Sequence, residues 1–149
     1  MRRRCASALS LQEYERQIDS RLRSGTSVAA EYLAQMLTRC RDFSGQIFVA
    51  DCASVVAGFV TVLASVPFHE LDDPPGEFAL ISDLVVLERF RRRGLGRTLL
   101  EAAERYAWEH GARELRIGVL SGNEPARRLY RQVGFASHLE VLTKRFESE

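Results

Sequence analysis

The chain has 149 residues, 46% of them hydrophobic, 28% charged and 9% aromatic, with 21 basic against 20 acidic side chains. Those proportions describe one globular domain that can bury about 68–70% of its unfolded surface. A net charge of +1 excludes a general electrostatic polyanion binder, because sequence-independent nucleic-acid affinity needs surplus Lys and Arg at the phosphates.

From Ser10 to Arg23, Leu11, Tyr14, Ile18 and Leu22 recur at three- and four-residue spacing and predict one face of a helix. Ser24-Gly25-Thr26-Ser27 breaks it, and Val28 to Cys40 repeats the pattern with Val28, Tyr32, Met36 and Leu37. The period then changes. Gln46 to Ala50, Ser54 to Val66 and Phe78 to Leu87 are rich in Val, Ile, Phe and Leu and predict three consecutive strands. A tight turn at Asp51 to Ala53 joins the first two. Between the second and third lies Pro67-Phe-His-Glu-Leu-Asp-Asp-Pro-Pro-Gly76, whose prolines and glycine require a loop.

Leu95 to His110 carries Leu95, Leu99, Ala103 and Tyr106 on one helical face, closed by Gly111 as a left-handed cap. Glu114 to Leu120 alternates like a strand. Asn123 to Val133 predicts another helix, with Ala126, Leu129, Tyr130 and Val133 facing inward and Gly134 ending it; Ser137 to Phe146 predicts the last strand. The sum is a single α+β domain over residues 1–149, with helices packed on a mixed sheet.

The even charge total hides two opposed clusters. Twenty of the 21 basic residues are Arg, and Arg89, Arg91, Arg92, Arg93 and Arg97 crowd nine positions, while Glu70, Asp72, Asp73 and Glu77 gather in the proline loop. Cys5, Cys40 and Cys52 form no C-x-x-C, and His69, His110 and His138 are isolated. A reduced cytoplasmic protein without a metal site is the simplest reading. The weakly polar stretch Ala53 to Phe68 is too short and too β-branched to span a bilayer, and Met1-Arg-Arg-Arg leads into no apolar export core.

Leu84-Val-Val-Leu-Glu-Arg-Phe-Arg-Arg-Arg-Gly-Leu-Gly-Arg-Thr98 takes a hydrophobic strand through a glycine turn into a helix. Free N–H groups at a helix start, with about half a positive charge from the dipole, form an anion site that glycines let a phosphate approach. Arg91 stands where a Walker A loop needs its first Gly, and Leu99 where a dinucleotide fingerprint needs Gly or Ala. What remains is R-x-x-G-x-G at Arg91, Gly94 and Gly96. Taken alone, this string also fits a helix start with a solvated arginine run. Further on, Asn123 suits an N-cap and Pro125 a first helical turn, and Tyr130 alone also fits a core aromatic whose hydroxyl reaches solvent.

The two segments together resemble the GNAT superfamily of acetyl-CoA-dependent N-acetyltransferases. Arg91-Arg-Arg-Gly-Leu-Gly96 matches the R/Q-x-x-G-x-G/A signature, and Asn123, Ala126, Tyr130, Gly134 and Phe135 match N-x-x-A-x-x-x-Y-x-x-x-G-F. Leu84-x-Val86 precedes Phe90-Arg91 at the family spacing, with Ala57-Gly58-Phe59 in the preceding strand; the likeness covers residues 46 to 136. The resemblance implies a sheet of six to seven mostly antiparallel strands with about four helices, and acetyl-CoA as cosubstrate. It also implies that the backbone of Leu84, Val85 and Val86 pairs with the pantetheine amides, and that the amides from Arg92 through Arg93, Gly94, Leu95, Gly96 and Arg97 to Thr98 hold the pyrophosphate. Arg91, Arg92, Arg93 or Arg97 adds charge, Asn123 meets the cofactor, and Tyr130 protonates the departing thiolate.

Freeing the lone pair of an alkyl amine with a pKa near 10.4 costs about 4.6 kcal/mol at pH 7. Asp83 is the nearest candidate base in sequence, or an amine anchor, with a purely structural hydrogen-bonding role also open. Ser82 stands where many relatives carry Glu, and strand alternation turns Asp83 away from the acceptor unless the strand bulges nearby. The carboxylates of Glu70, Asp72, Asp73 and Glu77 attract a cationic substrate where their loop borders the acceptor site, and otherwise form a solvated loop. The acceptor is then a polyamine, an aminoglycoside-like polycation or a protein amine, and a homodimer is common in similar proteins. Two other readings are a non-catalytic acyl-CoA-binding regulatory module and an arginine-dependent nucleic-acid binder.

Overall fold

The computed structural model describes residues 25–69, 71, 72 and 74–148. The predicted helix Ser10–Arg23 and the loop residues Glu70 and Asp73 lie outside them. Helix α1 (Gly25–Asp42) is followed by strands β1 (Gly45–Cys52), β2 (Val55–Pro67) and β3 (Glu77–Val86), helix α2 (Leu95–Glu109), strand β4 (Leu115–Ile117) and helix α3 (Glu124–Gln132). The sheet order is β1-β2-β3-β4, with the first two pairings antiparallel and β3/β4 parallel. A parallel neighbour needs a crossover, which α2 supplies.

Each element follows from its residues. Ala53 and Ser54 both take positive φ (51° and 64°) in the two-residue loop between β1 and β2, the conformation whose twist matches a hairpin. Gly111 closes α2 at φ 90°, where Ala112 N–H donates back to the Ala107 carbonyl at 3.0 Å. Gly25, Thr26 and Ser27, expected to break the chain, instead form the first turn of α1. Its inward face runs through Leu33 and Met36, both 4% exposed, while Leu37 turns out to solvent.

The sheet has two covered faces. Val60, Val62, Ala79 and Ile81 pack against Leu99, Leu100, Ala103 and Ala107 of α2, with Leu129 and Tyr130 of α3 and its C-cap Val133 beside them. On the other face, Phe59 and Val85 pack against Leu33 and Met36 of α1. β3 therefore changes sides along its length. In its ladder with β2, Val62 pairs with Ile81 and Thr61 with Asp83, so Ser82 is an extra residue. This bulge inverts the alternation and sends Asp83 and Val85 to α1, and Leu84 and Val86 to α2 and α3.

The described residues hold four strands and three α-helices, fewer than the six to seven strands and about four helices that the family likeness implied. The strand expected from Glu114 to Leu120 shrinks to three residues, because β3 leaves it after Ile81↔Ile117 and Gly118 follows. Ser137 to Phe146 forms no strand: with β4 so short it has no long edge to join, and Leu139, Val141, Leu142 and Phe146 stay at least 80% exposed. Among the described residues, no helix is long and apolar enough to cross a membrane.

Gly58 is where β2 and β3 come closest. A Cβ there would lie 2.3 Å from the Val85 carbonyl oxygen and 3.1 Å from the Val86 Cα, both backbone atoms that cannot move aside. Gly58→Ala is expected to cost about 1–3 kcal/mol, read as a lower urea midpoint at unchanged slope.

Candidate active site

The bulge at Ser82 also marks where β3 parts from β4. Pairing covers Ala79↔Leu115, Leu80↔Arg116 and Ile81↔Ile117, and β3 continues to Val86 without that neighbour. Leu87 N–H donates to the Ala57 carbonyl at 2.8 Å. Alternation along the antiparallel ladder then turns the N–H and C=O groups of Leu84 and Val86 away from β2, towards the gap. An extended ligand with its own amides can pair there as a further strand does.

At the end of β3 the chain makes one 3₁₀ turn, Glu88–Phe90, before the arginine-glycine segment. Arg91 Nε donates to the Val86 carbonyl at 2.9 Å, so this arginine holds the turn together. Arg89 and Arg93 lie over the Phe90 ring, at 5.0 and 5.6 Å from its centroid. Arg92 and Arg97 are exposed. Arg92 takes φ 62° and Gly94 φ 78°, left-handed conformations that fold the backbone tightly into α2. Gly94 is the N-cap and offers no side-chain acceptor, and Thr98 makes the first helical bond to its carbonyl at 3.1 Å. The N–H groups of Leu95, Gly96 and Arg97 therefore emerge at a helix start in an arginine-rich segment, where the dipole favours an anion.

Helix α3 is brought against this turn. A Cβ at Gly96 would sit 3.0 Å from Leu129 Cδ2, so glycine permits the contact. Tyr130 follows Leu129, packs edge-on to Phe135 at 5.9 Å, and joins the same apolar cluster as Leu84 and Val86. Asn123 is the N-cap: its Oδ1 accepts from Ala126 N–H at 3.3 Å. Glu124 pairs with Arg127 and Arg131 on the outer surface, contacts of small energetic weight.

Asp83 lies on the opposite face of β3, 5% exposed. It accepts hydrogen bonds from the Tyr32 hydroxyl of α1 at Oδ1 and from Ser82 Oγ at Oδ2, the latter at 2.8 Å. Burial first, and the Asp83 carboxylate second, push the Cys40 thiol of α1 above its ordinary range, against the opposing pull of Arg39. Thr61, paired with Asp83, is fully buried and donates to Met36 Sδ at 3.0 Å. The bulge needed for Asp83 to leave the strand's regular alternation is present.

The acidic residues sit at the other end of β3. Glu77 opens the strand and accepts from Ser65 Oγ, and Asp72 is exposed. At ~3.3 Å per residue, Glu77 lies about 17 Å from Ser82 and about 30 Å from Val86. Arg116 of β4 lies over the Phe78 and Phe68 rings, at 4.3 and 5.1 Å, and bonds Glu114 at 2.5 Å, which anchors the loop's base beside β4. A surface cleft of about 270 Å³ between β1 and α2 contains none of these residues. The candidate site is an open gap at a strand edge, not an enclosed cavity.

A family model described as the acetyltransferase (GNAT) family matches residues 11–135. The chain belongs to the GNAT family. It is 30% identical over 98 residues to an N-alpha-acetyltransferase of Sulfurisphaera tokodaii, spanning 64% of this chain and 59% of that protein. It is 32% identical over 77 residues to the uncharacterized N-acetyltransferase YycN of Bacillus subtilis, spanning 52% of this chain and 49% of that one. The chain thus covers less than two thirds of either relative's length. Among solved structures, a mutant of the BH1408 protein from Bacillus halodurans superposes with a TM-score of 0.84 at 17% identity, over 98% of this chain and 93% of that one. The aminoglycoside N-acetyltransferase AAC(6')-Iy in complex with CoA superposes with a TM-score of 0.65 at 20% identity, over 80% of this chain and 88% of that one. These likenesses establish the fold.

The sequence pointed to the turn, Asn123, Tyr130 and Asp83; the structure packs the turn at Gly96 on Leu129, next to Tyr130, with Asn123 capping the same helix and Asp83 on the opposite face of β3. The sequence did not reveal Tyr32 and Cys40 as neighbours of Asp83, since only the bulge turns Asp83 towards α1. Alkylation of Cys40, followed by peptide mass against pH, is expected to show a midpoint above the ordinary cysteine range. Asp83→Asn removes the negative neighbour and is expected to move that midpoint down.

Proposed function

We propose that the chain is an acetyl-CoA-dependent N-acetyltransferase that moves an acetyl group to a primary amine by direct attack. The observation that carries this reading is the gap between β3 and β4, lined by outward-facing backbone groups and ending at an uncapped, arginine-flanked helix start. That spacing of strand-like and anionic subsites suits a pantetheine arm joined to a pyrophosphate. When bound, acetyl-CoA supplies the activated acyl carbon and a thiolate leaving group.

The protein's own groups divide the rest. The backbone of Leu84, Val85 and Val86 orients the pantetheine amides. The amides from Arg92 to Thr98 hold the pyrophosphate, with Arg92 and Arg97 free to add charge and Arg91 keeping the turn in shape. Asn123 borders the cofactor beyond β4. Tyr130 gives its hydroxyl proton to the departing sulfur, and Asp83 receives the proton from the amine. The two lie on opposite faces of β3, so acid and base flank the acyl carbon without neutralising each other.

The acceptor is a small cationic amine, a polyamine or an aminoglycoside-like molecule, or else a protein amine. Asp72 and Glu77, with Glu70 and Asp73 in the same loop, supply the attracting charge. Aminoglycoside acetyltransferases among the structural neighbours support the first class, and the N-alpha-acetyltransferase relative the second. A cytoplasmic homodimer completes the reading.

Incubation with acetyl-CoA and a panel of amines, following free thiol, is expected to show release with at least one amine. Tight CoA binding without release from any of them would establish a non-catalytic acyl-CoA-binding module instead. Each charge-assisted phosphate bond contributes roughly 1.5–3 kcal/mol, so Arg92→Ala or Arg97→Ala is expected to raise KM for acetyl-CoA about 10- to 100-fold. Tyr130→Phe is expected to lower kcat by about 10²-fold or more with CoA affinity retained. An unchanged rate removes Tyr130 from the acid role.

A further inference from the structure

Asp83 is 5% exposed and faces α1, so an amine arriving from solvent does not touch its carboxylate. Both carboxylate oxygens already accept a hydroxyl: Tyr32 at Oδ1 and Ser82 at Oδ2. Such a carboxylate receives a proton most directly along one of those two bonds. Tyr32 approaches from the buried α1 side. Ser82 is half-buried and is the bulge residue itself, at the point where β3 loses its β4 neighbour and the gap opens. Its hydroxyl sits at this edge and bonds directly to the buried carboxylate at 2.8 Å.

We propose that Ser82 is a catalytic residue that relays the acceptor's proton to Asp83, and that Tyr32 is a positioning residue that holds the receiving carboxylate. This rests on the acetyl-transfer reading. The acceptor nitrogen becomes acidic as its lone pair bonds to the acyl carbon. Its N–H bond breaks as Ser82 Oγ takes that proton, while the Ser82 Oγ–H bond breaks as Asp83 Oδ2 takes the other. The serine hydroxyl is restored, Asp83 is neutral, and the positive charge on nitrogen is gone. Asp83 later returns its proton through the same hydroxyl to solvent. Among the described residues, the titratable groups facing Asp83 are Tyr32 and Cys40 from α1, with Arg39 acting on Cys40; its β2 partner is Thr61, which does not titrate.

The test uses the full chain, acetyl-CoA and whichever of spermidine, kanamycin or a peptide α-amine releases thiol with the native protein. Ser82→Ala is expected to lower kcat by about 10²-fold with KM for acetyl-CoA unchanged, and Ser82→Thr, which keeps the hydroxyl, to recover most of the loss. Tyr32→Phe removes the hydroxyl that orients the carboxylate, and is expected to lower kcat by less than Ser82→Ala does, with KM for acetyl-CoA unchanged. Where Ser82→Ala does not fold, Ser82→Cys replaces it. Native kcat and a native pH profile in Ser82→Ala, or a Ser82→Thr rate no better than that of Ser82→Ala, overturns the relay and leaves acetyl transfer standing. No thiol release by the native protein with any amine overturns both.

Discussion

A β-strand has two edges, and β3 cannot keep both of them paired. It stays on β2 throughout, apart from slips in register, and gives up β4 after Ile81. The extra residue at Ser82 is the local cause, because a bulge bends the strand and strengthens its twist. Everything that makes the candidate site follows from this parting. The backbone groups of Leu84 and the Val86 N–H lose the strand partner a full sheet would give them, Arg91 takes the Val86 carbonyl, the turn after Val86 leads into α2, and Asp83 rotates onto the α1 side. Gly58 keeps β2 close enough to β3 to hold the bent strand in place.

The bulge has a second consequence in the electrostatics. A buried carboxylate is costly unless its charge is met by donors. Here a tyrosine from one helix and the bulge serine itself meet it, and a nearby thiol is kept protonated by burial and by that same charge. The cluster joins α1 to β3 through polar groups, where the rest of that interface is apolar packing of Leu33 and Met36 on Phe59 and Val85. The helix and the strand are thereby set in one register relative to each other.

Much of this was legible in the amino-acid string, because it depends on local chemistry. The two-residue turn, the glycine caps at Gly111 and Gly134, the Asn123 cap and the arginine-glycine turn are each written in a few adjacent residues. The three long strands were legible from their β-branched content. What was not legible depends on pairing. β4 alternates over seven residues yet holds only three, because its length is decided by where β3 bends. Ser137 to Phe146 has strand composition, but composition supplies no neighbour. The side on which Asp83 falls turns on one inserted residue, and periodicity alone gives the opposite face. Leu37 was misassigned because three- and four-residue spacing fits two adjacent helical stripes, and tertiary contact chose the one through Leu33.

The arginine turn has one more property, which concerns the reagent it would hold. A thioester acylates free amines, and an acylated lysine loses its charge and its bonds to phosphate. A guanidinium is protonated at every physiological pH and presents no lone pair for such an attack. In the phosphate site proposed above, a guanidinium at Arg92 or Arg97, in a chain whose single lysine is Lys144, would be chemically inert towards the thioester. The affinity of that proposed site would then not decay with exposure to acetyl-CoA.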